Sequence, residues 1–156
     1  PRQVAGGLGG DDVGRSAVVA AEAHRYLARL EAERRSALLA HPVNKTALLL
    51  SARVPPEPLL PLGDLYASQV EALAGGWTAP PAVRELARRA GGVAVLDAAL
   101  IGWLEERREL AAALARLPEE GRAAVRAALE AGRFARRHVG LVPKLSARTP
   151  GIDLFQ

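Results

Sequence analysis

The stretch Val93-Ala94-Val95-Leu96-Asp97-Ala98-Ala99-Leu100-Ile101-Gly102-Trp103-Leu104, continued by Glu105-Glu106-Arg107-Arg108-Glu109-Leu110-Ala111-Ala112-Ala113-Leu114-Ala115-Arg116-Leu117, decides the fold. Val93, Leu96, Leu100, Trp103, Leu104, Leu110, Leu114 and Leu117 recur at helical spacing and Pro118 ends the run. The pattern predicts one long central helix over residues 93–117, with Trp103 and Leu104 as its heaviest core contributors.

The flanks on either side read as further helices. Upstream, Thr78 stands as a cap, Pro80 and Pro81 suit a first turn, Val83, Leu86, Ala87 and Ala90 share a face, and Gly91-Gly92 closes the helix. Before that, Asp64 is placed to cap a helix carrying Tyr66, Val70 and Leu73 that stops at Gly75-Gly76. Downstream, Pro118-Glu119-Glu120 opens a helix with acidic residues against its dipole and with Val125 and Leu129 facing inward. Arg133, Arg136 and Arg137 crowd its end.

Residues 12–39 are strong helix formers, with Val18, Ala21, Leu27, Leu30 and Leu38 on one stripe, until His41-Pro42 interrupts them. Asn44 to Ala52 reads as a short helix capped by Asn44, although Leu48-Leu49-Leu50 also fits a buried extended segment. Pro55, Pro56, Pro58 and Pro61 then force a polyproline-like crossing whose leucines lie on the core. Beyond Gly140 the periodicity is lost. The fold class expected is therefore all-α, an irregular bundle of about five or six helices with an extended C-terminal tail. Its parts would be a flexible leader over 1–11, the bundle over 12–140 and the tail over 141–156, with the bundle melting alike whether or not that tail is present.

At 156 residues and 49% hydrophobic, the chain is sized for one folded domain. With no Cys and no Met, it excludes disulfides, thiolate metal sites and cysteine nucleophiles, and leaves the redox compartment unread. No apolar run approaches the ~20 residues of a membrane span, and the first ten residues lack a secretory apolar core, so a cytoplasmic protein is expected. The net charge is +4, and because only Lys45 and Lys144 are lysines, the remaining 19 of the 21 basic residues are arginine. Arginine's fork suits phosphate and carboxylate, though a GC-rich genome produces the same skew.

The chemistry-bearing candidates are few. His24, His41 and His138 form no metal-binding pair on one helix face, and no phosphate-cradling glycine loop or nucleophile elbow is present, so no metal and no cofactor is expected. Arg133-Phe134-Ala135-Arg136-Arg137-His138 resembles the Arg-x4-6-His motif of the HEPN ribonucleases, which are small helical bundles. That resemblance implies Arg133 and His138 as an RNA-cleaving pair, the imidazole moving a proton while the guanidinium stabilises phosphate charge. Ala82 to Gly91 resembles the first helix and turn of helix-turn-helix repressors, but the apolar run after Gly92 is built for burial and leaves Asp97 where a core side chain is wanted. Ile152-Asp153-Leu154-Phe155 resembles the end of the bacterial sliding-clamp-binding peptide, with Gly151 where that peptide has Gln.

The reading is a non-enzymatic helical interaction or adaptor protein that engages a protein partner through a basic, apolar-tipped C-terminal segment. Arg133, Arg136, Arg137, Lys144 and Arg148 would supply charge, and Ile152, Leu154 and Phe155 the docking tip. The alternatives are a nucleic-acid-binding protein using the same arginines as a phosphate clamp and a HEPN-like ribonuclease. The alanine-rich stripes would also suit a homo-oligomer.

Overall fold

The computed structural model describes residues 40–53, 59–146 and 148, together with positions 19, 23, 26, 27, 30, 31 and 33, all seven of which are helical. The described elements are α1 (Lys45–Leu50), α2 (Ala67–Leu73), α3 (Pro81–Ala90), α4 (Val93–Leu104), α5 (Leu110–Leu114), α6 (Glu119–Ala131) and the short α7 (Arg133–Arg136). The molecule is an all-helical bundle. Helix α3 packs on α4 and α6, α4 also holds α2 and α5, and α1 lies against α6.

Local chemistry explains most of these boundaries. Asn44 adopts an extended conformation and its Oδ1 accepts the Ala47 N–H at 2.8 Å, opening α1. Pro81 starts α3 where its missing N–H costs nothing, and Gly91 ends it in the left-handed conformation at φ 92°, with the Gly92 amide reaching back to the Ala87 carbonyl. Thr78, expected as that cap, lies outside the helix because Pro80 takes the position. The core joins Leu49, Leu96, Leu100, Leu114, Val125 and Leu129, each fully buried side chain stabilising by about 2 kcal/mol. Gly121 lets α6 press against α3: a Cβ there would stand 2.5 Å from the Arg89 carbonyl oxygen.

Two further expectations are corrected. The central helix over 93–117 is two helices, α4 and α5, separated by Glu105–Glu109. No apolar residue bridges Leu104 and Leu110, Glu105 turns inward, and Arg107 at φ 55° reverses the chain in a left-handed conformation rare for a residue with a side chain. Asp64 does not cap α2, whose entry residue is Tyr66, because its carboxylate is engaged elsewhere. Leu27 and Leu30, read on one helical stripe, are helical and 60% and 45% exposed; Val18, Ala21 and Leu38 lie outside the described residues.

Three extended pieces align beside the bundle. Leu59 pairs in parallel with Ala40 and with Leu141, through His41 N to Leu59 O and Leu60 N to Leu141 O, both 2.9 Å. Residues 141–146 are non-helical and seated on the body: the missing side chain of Gly63 leaves room for Val142, one of whose methyls lies 2.9 Å from where a Cβ would be.

Candidate functional site

The start of α1 carries Asn44-Lys45-Thr46, and all three side chains are buried. Capping by Asn44 fixes the first turn, and the Lys45 amide bonds the Leu65 carbonyl at 2.8 Å, which aims the lysine stem under the loop before α2. Its ammonium shares three protons among four acceptors, Asp64 Oδ1 at 3.1 Å, Glu105 Oε1 at 2.5 Å, Ser146 Oγ at 2.6 Å and the Arg148 carbonyl. The Tyr66 ring lies beneath, 4.9 Å from Nζ to its centroid, and the phenol donates to Glu105 Oε1 at 3.1 Å. A lysine fully removed from water is strongly unfavourable unless its charge and donors are satisfied. Here two carboxylates from different parts of the fold satisfy it.

Those carboxylates also grip the C-terminal strap, Leu145, Ser146 and Arg148. Asp64 Oδ2 accepts the amides of Leu145 and Ser146 at 2.5 and 2.6 Å, Asp64 Oδ1 accepts the Ser146 hydroxyl at 2.8 Å, and Glu105 Oε2 accepts the Arg148 amide at 3.1 Å. Burial works to raise the Asp64 pKa, but the hydrogen bonds from Leu145, Ser146 and Lys45 outweigh it and hold the carboxyl below its ordinary value. Tyr66 is driven the other way, upward, by burial and then by the charge and hydrogen bond of Glu105, with Asp97 and Asp64 adding to it. The phenol therefore remains a donor at neutral pH.

A second row supports the first. Thr46 donates to Asp97 Oδ1 at 2.6 Å and accepts the Ala67 amide at 2.9 Å, while Asp97 Oδ2 accepts the Ser68 amide at 2.7 Å. The acid that interrupts the apolar face of α4 thus satisfies the N-terminus of α2. The assembly holds the strap through three amides, a carbonyl and the Ser146 hydroxyl, and the Leu145 side chain is 66% exposed, as is that of Leu141 at 70% where its backbone pairs with Leu59 and Leu60.

The residues singled out from sequence are distributed differently. Arg136 is buried, 7% exposed, and its Nη1 donates to the Leu49 carbonyl at 2.8 Å near the end of α1. Burial pulls its pKa down to about 10, so it is still charged at neutral pH. Gly132 makes the approach feasible, since a Cβ there would meet Arg136 Nη1 and the Ser51 carbonyl, each at 2.8 Å. Arg133 reaches Glu130 at 3.5 Å, Arg137 and Lys144 are exposed, and His138 is half-buried in the turn after α7. Arg148 is held by its backbone, with its side chain at the rim of a groove beside Trp103. Ile152, Leu154 and Phe155 lie outside the described residues.

Lys45, Asp64, Tyr66, Glu105 and Ser146 were missed as site residues. The available signals were a lone lysine heading an apolar helix in an arginine-rich chain and Asp97 on an otherwise apolar face. Among the described residues no group of three or more His, Cys, Asp or Glu side chains could hold a metal ion, and no helix is long and apolar enough to cross a membrane. No family model, no curated protein and no solved structure matches the chain.

Proposed function

We propose that the chain is a helical interaction module that engages a protein partner through its C-terminal segment. The observation that supports this is the grip on Leu145, Ser146 and Arg148: buried charges hold the strap by its amides and a carbonyl while Leu141 and Leu145 stay exposed. Apolar side chains displayed on a fixed extended backbone are what peptide-recognition surfaces engage. Lys144, Arg148 and Arg137 add positive charge near this segment in sequence that would steer an acidic partner, and Ile152, Leu154 and Phe155 continue the apolar series in sequence. Arg136, satisfied in the interior, supports the α1 end of the body in this account and makes no partner contact.

The test is capture of a partner by the full-length chain, identified by mass and then titrated. Leu141→Ser with Leu145→Ser, and separately Phe155→Ala, are expected to weaken that complex at least tenfold while the melting temperature holds. An unchanged affinity for the identified partner in both variants contradicts the proposal. The nuclease reading separates from it directly, because it requires RNA cleavage that His138→Ala abolishes.

A further inference from the structure

The turn between α4 and α5 does two things at once. Glu105 points into the buried cluster, two residues later Arg107 takes its left-handed conformation, and the Arg108 side chain lies over Gly102 beside Glu106. Non-glycine residues held in that region concentrate at functional sites. Together with Trp103, Glu109 and Leu110, these arginines line an open groove of about 310 Å³, and the sixth lining residue is Arg148 from the strap. Thus three arginines from two distant stretches of sequence line a single groove, with Glu109 as its one acidic member.

Two of the three are held in defined places. Arg148 has its amide on Glu105 and its carbonyl on Lys45, so its side chain departs from a fixed backbone. Arg108 is steadied by Glu106 at 2.7 Å. Arg107 has no ion-pair partner among the described residues. Guanidinium groups match the oxygen geometry of phosphate in paired hydrogen bonds, and an indole next to them provides a flat surface on which a base can rest. We infer that the groove bounded by Trp103, Arg107, Arg108 and Arg148 binds the phosphate and base of a nucleotide, either free or within a single strand. The buried Lys45 cluster then has a second consequence, because it positions Arg148 as the third arm of the clamp. This places phosphate binding away from the Arg133–Arg137 stretch.

The experiment uses the full-length chain at low salt, with tryptophan fluorescence and calorimetry reading the binding of AMP, adenosine and an eight-nucleotide single strand. Expected is binding of AMP, the strand or both that weakens as salt rises, with adenosine binding much less tightly. Arg148→Ala keeps the amide and carbonyl that fasten the strap and is expected to weaken binding about tenfold, and Arg107→Ala with Arg108→Ala further still. Should the alanine lower the melting temperature, Arg148→Gln repeats the test with the side-chain length kept. Arg133→Ala with Arg137→Ala is expected to bind as the unaltered chain does. AMP without the strand identifies a free nucleotide as the source, and tighter binding of the strand identifies a nucleic acid. The inference is overturned if neither phosphate-bearing probe binds, if the Arg148 variants bind unchanged, or if the Arg133/Arg137 variant loses as much as they do.

Discussion

Two regions of this small protein are held together by opposite means. Where α3 crosses α6 the contact is dry and close: Ala87, Ala90, Val125 and Leu129 fill it, and Gly121 brings the backbones near enough that a methyl group would clash. Under the C-terminal strap, a lysine, two carboxylates, a phenol and a serine hydroxyl are buried together and exchange hydrogen bonds. The first region gains from every apolar atom removed from water. In the second, desolvation of each charge offsets most of the attraction between them, so the arrangement contributes position more than stability. An apolar contact could have fastened Leu145, Ser146 and Arg148 to the body, but it could not have fixed their amides and a carbonyl one by one. The difference teaches that the bundle supplies stability and the cluster supplies placement.

The comparison can be broken most forcefully at Lys45. Lys45→Met leaves Asp64 and Glu105 buried without their cation, and a loss of about 4 kcal/mol in chemical denaturation is expected. The double variant Lys45→Met with Asp64→Asn should recover part of it, since fewer uncompensated charges remain. At the dry crossing, Gly121→Ala is expected to cost about 3 kcal/mol, because the new Cβ meets the backbone of Arg89 and Ala90 and only a shift of the helices relieves it. Ser146→Ala, which removes a hydroxyl bonded to Lys45 and Asp64, should cost about 1 kcal/mol.

Acid titration sharpens the contrast. The Asp64 carboxyl in the folded protein lies below its unfolded value of 3.8, so its contribution is complete above that pH and is lost as pH falls through the lower folded value. The melting-temperature difference between the unaltered chain and Asp64→Asn should therefore shrink on going below about pH 4. Gly121→Ala should show no such convergence. The smallest effect is expected for Leu141→Ser with Leu145→Ser, within about 0.5 kcal/mol by denaturation, since both side chains face solvent.

The legible part of the fold was the local part. Asn44 as a cap, Pro81 at the start of α3, Gly91 at its end and Pro118 before α6 are interactions within a few residues, and each announces itself by residue type. The cluster was not legible because it is assembled across the chain: Lys45 meets Asp64, Glu105 and Ser146 at separations of 19, 60 and 101 residues. A carboxylate in a charged run such as Glu105-Glu106 looks the same whether it will be solvated or buried, and only the turn at Arg107 distinguishes them. Contacts across the chain were equally hidden beyond Gly140: Leu141 pairs with Leu59, Val142 sits against Gly63, and Leu145, Ser146 and Arg148 close over Lys45, so removing residues 141–156 is expected to lower the melting temperature.

The most direct measurement is amide hydrogen exchange at Leu145, Ser146 and Arg148 in the full-length chain. These amides should be protected nearly as well as those of α4, and Asp64→Asn should release the first two while α6 keeps its protection. Exchange of all three at the rate of an unstructured peptide in the unaltered chain would mean that the strap does not rest on the buried charges, and the account would fail.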